Sequence, residues 1–219
     1  MELTVYAPEH PPPLPVLPPA PAPWQYPIST AALYRRVRIA LGRHTALVGM
    51  DAVIAALWIM NSYVFRTFPH CPRLVVGGSR NAARAILACC HRPVRVAHMA
   101  PAAVLELAAR YQPTILVSGR DPVTDLLVTT NAGSTLTTAI GERLSFHCPV
   151  IVFFPYKRPR HGEIVIDAAA SPDRFRNADR DALSHEIQPR GIRWSNDQRD
   201  RLAARFASKV PPAGSRSWR

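Results

Sequence analysis

The chain has 219 residues, 47% of them hydrophobic, which is enough for one buried core with tails and leaves little room for a second domain. Only Lys157 and Lys209 among its 27 basic side chains are lysines, and against 15 acidic residues they leave a net charge of +12, a balance that favours polyanionic partners. A GC-rich genome would account for the preference for Arg over Lys, but not for the excess of positive charge.

Glu2 and a proline run follow Met1 where a secretory signal would carry basic residues and then a continuous apolar stretch, so a cytoplasmic protein is expected. Residues 8 to 27 include ten prolines, a density that blocks the helix ladder and favours extended polyproline II. Residues 1–28 therefore read as a Pro-rich disordered tail, a stiff spacer whose PxxP spacings could also dock an aromatic groove.

Ser29-Thr30 is placed to cap a helix with Leu33, Val37 and Leu41 inward and Arg35, Arg36, Arg38 and Arg43 outward. The next helix, at about 50 to 66, is apolar nearly all round and so belongs to the interior, with Trp58 buried. The apolar stretch from Ala46 to Phe65 carries Asp51, Asn61 and Ser62, which argues against a membrane span.

Arg73-Leu74-Val75-Val76 reads as a short buried strand ended by Gly77-Gly78, and Asn81 to Cys90 as a helix. A further helix from about Pro101 to Tyr111 precedes the apolar run Thr114 to Val117. Two more strand-like runs follow, Val150 to Phe154 and Glu163 to Ile166. This alternation predicts an α/β fold for residues 29–170, a mostly parallel sheet with flanking helices and a helical lead-in. Residues 171–219 are polar and rich in Arg and Asp. They are expected to be partly helical, at about 195 to 209, or disordered.

Between the first strand and its helix lies Gly78-Ser79-Arg80-Asn81-Ala82-Ala83-Arg84-Ala85, which has the length and flanks of a Walker A loop. In such a loop backbone amides and a Lys hold phosphate while a hydroxyl holds magnesium. Here Ala83 replaces the second Gly, Arg84 the Lys and Ala85 the hydroxyl residue. Gly78, Ser79 and Arg84 are the candidate phosphate contacts. Where a Walker B acid should end the next apolar strand, the sequence reads Val117-Ser118-Gly119, with Asp121 and Asp125 behind it. An ordinary strand-to-helix turn explains the glycine pair equally simply.

In order and spacing, several pieces resemble the phage, plasmid and actinobacterial helicase-like P-loop ATPases that accompany primase and polymerase modules. They are the helix from Asp51 to Ile59, Tyr63-Val64-Phe65, Phe68 to Leu74, Arg92-Pro93-Val94-Arg95, Pro101 to Leu105, Pro113 to Leu116 and Asn131-Ala132-Gly133. The resemblance covers residues 30 to 167 and implies a degenerate, truncated member. The family's sensor and arginine-finger segment is missing between Phe154 and Lys157, so no trans-acting arginine carries over.

The resemblance implies a P-loop NTPase-like sheet and a non-hydrolysing accessory of a mobile element that binds nucleic acid or a replication protein. Two other readings stay open, an ATPase with a metal site rebuilt on Asp121 or Asp125, and a remnant without activity. No cofactor is expected, although weak nucleotide binding stays open. Nucleic acid is expected to bind non-specifically on Lys157, Arg158 and Arg160, with Arg35, Arg36 and Arg38, because these dense basic clusters have no acidic residue within them. The four cysteines lack CxxC spacing and read as reduced structural thiols. The His70-Cys71, Cys90-His91 and His147-Cys148 pairs keep a zinc alternative open. No nucleophile elbow frames Ser118, His98, His147 and Asp121 as a hydrolase set.

Overall fold

The computed structural model describes residues 17–68, 71–97, 99–118, 135–137, 143–145, 147–154, 163–168 and 175–207. Helix α1 (Thr30–His44) starts where expected, the Ser29 hydroxyl accepting from the Ala32 amide at 3.2 Å. Helix α2 (Gly49–Val64) runs into a 3₁₀ turn, Phe65–Thr67. Then come β1 (Arg73–Gly78), α3 (Arg80–Ala88), β2 (Pro93–Arg95), α4 (Pro101–Tyr111) and β3 (Thr114–Ser118). The chain continues through β4 (Thr135–Thr137), β5 (Arg143–Ser145), β6 (Val150–Phe154) and β7 (Glu163–Ala168) to a long helix, α5 (Asn177–Ala207).

Five strands form one all-parallel sheet in the order β2-β3-β6-β1-β7, and β4 and β5 pair separately as an antiparallel ribbon. The expectation of an α/β fold with flanking helices thus holds, and every neighbouring pair in the main sheet is parallel. Both faces of the sheet are buried, which is why its central strands read as unbroken apolar runs. Leu74, Val76, Leu116, Ile151 and Phe153 point into a layer shared with α1, α2, α3 and α5. Val75, Ile115, Val117, Val150 and Val152 point the other way, onto Val104, Leu105 and Leu107 of α4.

Three expectations are corrected. The C-terminal segment is not confined to a helix at 195 to 209: α5 begins at Asn177, and Leu183, Ile187 and Trp194 are buried in the main core. Those three residues recur on one helical face, and their burial offsets the roughly 3 kcal/mol cost of Pro189 within the helix. Strand β2 and the β4–β5 ribbon have no counterpart in the expected elements; at three residues each they are too short for a periodic signal.

The third correction concerns the proline segment, whose described part lies against the protein. Leu17 packs on the α4-side core, the Trp24 amide donates to the Pro189 carbonyl at 2.9 Å, and the Arg190 guanidinium lies 3.9 Å above the Trp24 ring. Residues 1–16 and 208–219 lie outside the described residues. Trp58 is 3% exposed, as expected for the interior helix, and its indole donates to the Pro72 carbonyl at 2.7 Å. No helix among the described residues is long and apolar enough to cross a membrane.

Candidate polyanion-binding crevice

The site begins at the C-terminal ends of parallel strands, where open α/β sheets present their loops and helix starts. Gly78 is still part of the β1 ladder, paired with Ala168 of β7. Its φ is +75°, and a Cβ there would come within 2.3 Å of the Ala168 carbonyl oxygen. A Cβ at Gly77 would stand 3.3 Å from Asp167 Oδ1. Both glycines therefore allow β7 to approach closely, a role independent of any ligand.

Ser79 turns the chain at once. Its amide donates to the Gly77 carbonyl at 2.9 Å, its hydroxyl accepts from the Ala82 amide at 3.2 Å, and α3 begins at Arg80. A phosphate cradle needs the residues after the first Gly to wrap outside the helix with their amides converging. Here Arg80 to Ala85 are already helical, and the cap hydroxyl takes up the Ala82 amide. Gly78, Ser79 and Arg84 consequently do not assemble into the loop anticipated from their spacing. Arg84 instead sits one turn into α3, its guanidinium 5.6 Å from the Phe175 ring centroid.

The helix does bring two guanidiniums to the sheet end, because Arg80 and Arg84 are one turn apart on the same face. With Arg95 at the end of β2, they border a crevice of about 270 Å³ beyond β3 and β6. Ser118 and Phe153 complete its floor, and Arg80 lies 5.5 Å from the Phe153 ring centroid. No acidic side chain is among the described residues that line it. Sequence reading passed over Arg80 and Arg95. The four-residue spacing from Arg80 to Arg84 was a legible signal, whereas the approach of Arg95 depends on pairing between β2 and β3.

The other proposed contacts divide. Arg35, Arg36 and Arg38 lie on α1, where Arg35 and Arg36 are exposed and Arg38 half-buried. The cluster contains no acid in sequence, but α5 supplies one: Glu186 pairs with Arg36 at 3.4 Å and with Arg43 at 3.6 Å. Arg38 donates to the Tyr34 hydroxyl at 2.9 Å. Lys157, Arg158 and Arg160 lie outside the described residues, as do Asp121, Asp125 and His98.

The thiols behave as an apolar interior dictates. Cys71, Cys89, Cys90 and Cys148 are all free. Burial pushes Cys71 and Cys148 up to about 12 and Cys89 beyond that. Burial also holds His91 down at about 4, helped by Arg92 and Arg66. Among the described residues, no group of three His, Cys, Asp or Glu side chains is arranged to hold a metal ion. Comparison with protein-family models and with curated proteins finds no match for the chain.

Proposed function

We propose that the chain is a non-hydrolysing, P-loop-like α/β protein that binds the phosphate backbone of nucleic acid through the arginines at the C-terminal edge of its sheet. The observation that carries this reading is the crevice with Arg80, Arg84 and Arg95 on its rim and no carboxylate in its described lining. Guanidinium forks pair with phosphate oxygens in a planar, two-bonded geometry that a Lys cannot reproduce. At about 270 Å³ the crevice is smaller than the ~300–1,000 Å³ typical of sites that enclose a small ligand, which suits contact with a backbone passing over it.

Hydrolysis of a nucleoside triphosphate would need charge and metal positioned on the transferred phosphate. By sequence spacing alone, Arg84, Ala85 and Ser118 occupy the positions of the Lys, the hydroxyl and the strand-end acid. A replication accessory of a mobile element, as the family resemblance implies, would use such binding without turnover. The net charge of +12 supplies the long-range attraction.

The test is affinity for a mixed-sequence single strand and duplex across a salt series, for wild type and for Arg80, Arg84 and Arg95 changed together to Ala. Each phosphate neutralised contributes roughly 0.7 to the single-strand slope of log K against log salt, so the triple variant should lose about 2. Absent binding at low salt, or an unchanged slope, would remove the crevice as the contact. Magnesium-dependent ATP turnover by the same preparation would overturn the non-hydrolysing half of the reading.

A further inference from the structure

A larger cavity, about 510 Å³, opens on the other side of Arg84 and Arg95, between α3, the edge strand β2, the first turns of α5 and the segment Leu17–Pro21. Its volume lies within the range of sites that enclose a small ligand. Arg84 and Arg95 border both this cavity and the strand-end crevice, whereas Arg92 and Arg180 border this one alone. Against the four guanidiniums stands a single described carboxylate, Asp181, which Arg180 already holds at 2.8 Å.

Two of the four arginines are oriented by the protein, whereas Arg95 and Arg180 are exposed. Arg92 donates one Nη to the Tyr111 carbonyl at 3.0 Å, and Arg84 lies over the Phe175 ring. A guanidinium has five N–H donors in a rigid fork, so each fixed contact orients the remaining donors. Ser184 and Gln188 both donate to the Ala88 carbonyl at 3.1 Å, which ties α5 to the end of α3 along the cavity.

The proline part of the lining has different chemistry. Pro18, Pro19 and Pro21 present flat apolar rings without N–H groups, and the neighbouring Trp24 anchors this segment to α5 through the Pro189 carbonyl and Arg190. A ligand matched to both parts of the lining carries several negative charges and an apolar plane.

We propose that this cavity is a binding site for a linear polyphosphate borne by a nucleoside, with the phosphates on Arg84, Arg92, Arg95 and Arg180 and the base on the prolines. The one carboxylate among the described lining residues, Asp181, is paired with Arg180, so the phosphate contacts in this proposal are guanidiniums and not a metal ion. The site does not rest on the nucleic-acid reading, since Arg92 and Arg180 take no part in the crevice.

Calorimetric titration of the full chain in EDTA with ATP, inorganic triphosphate and adenosine tests it, on wild type, Arg92→Gly, Arg180→Gln and Arg80→Ala. Gly suits the φ of +45° at position 92, and residue 180 is exposed on a helix, so at least the second variant keeps the fold. Metal-free ATP binds one to one, adenosine gives no heat, and Arg92→Gly and Arg180→Gln each weaken ATP about tenfold, as loss of a charge-assisted contact implies. ATP tighter than triphosphate identifies the nucleotide, and equal affinities identify inorganic polyphosphate at the same site. No ATP binding by wild type overturns the proposal. So does an affinity that falls with Arg80→Ala and stays within twofold in Arg92→Gly and Arg180→Gln, which would put the ligand in the crevice.

Discussion

Gly78 and Gly191 each leave out a Cβ where another part of the chain fills the space. At Gly191, inside α5, a Cβ would come within 2.3 Å of Tyr63 Cζ, so the missing side chain lets the Tyr63 ring lie flat on the helix. The Tyr63 hydroxyl, thus placed, donates to the Cys89 carbonyl at 2.6 Å and links α2 to the end of α3. At Gly78 the opposing atom is a backbone carbonyl of β7, which cannot rotate away, and the residue's φ is positive as well. Gly191→Ala should therefore cost about 1–3 kcal/mol as overpacking against a ring that can shift. Gly78→Ala should cost more, because it adds a strained conformation to the same crowding. Urea denaturation of both variants measures the difference. A Gly78→Ala protein as stable as wild type would mean that β7 does not lie as close as its register with β1 requires.

Helix α5 shows what an element can hide in a sequence. Pro189 and Gly191 are the residues that ordinarily end helices, and together they shift the expected start to 195. Leu183, Ile187 and Trp194 have the opposite message at helical spacing, but its weight depends on α1, α2 and α3 being there to receive them. The main strands were legible because burial on both faces makes their apolar runs continuous. The phosphate-loop reading was only half legible: length and flanks survive, whereas the early start of α3 follows from Ser79 acting as a cap, an option that sequence spacing alone does not decide. The anchoring of α5 gives a graded prediction. Trp194 is 6% exposed and its indole donates to Thr30 Oγ1 at 3.0 Å, so Trp194→Ala should cost about 3–5 kcal/mol. Trp24 contributes one stacked guanidinium on the partly exposed surface, and Trp24→Ala should cost about 0.5–2 kcal/mol while leaving the fold intact. Equal losses in the two variants, read by thermal or urea unfolding, would show that the proline segment is as much a part of the core as α5.

For the whole molecule, the excess of positive charge makes acid the informative stress, and His91 is where it meets the interior. His91 packs against the Tyr63 ring at a centroid distance of 5.7 Å, and its amide donates to Ser62 Oγ at 3.1 Å. Burial lowers its imidazole from 6.5 to about 4, and the positive charges of Arg92 and Arg66 act in the same direction. The folded state thus keeps His91 neutral at a pH where the unfolded chain has already taken up the proton. Stability linked to this residue is complete above pH 6.5 and is lost progressively as the pH falls to about 4, because the unfolded state binds more protons in that window. At about 1.4 kcal/mol per unit the full loss is no more than about 3.5 kcal/mol, and partial exposure of the ring reduces it toward 2. Protonation of carboxylates in general adds its own loss at the acid end. Comparison with His91→Gln separates the two, since the carboxylates are common to both proteins. Urea unfolding at pH 7, 5.5 and 4.5 should give a steeper decline for wild type than for His91→Gln, with the gap opening below pH 6.5. Parallel declines would show that His91 takes up its proton in the folded protein as readily as in the unfolded chain.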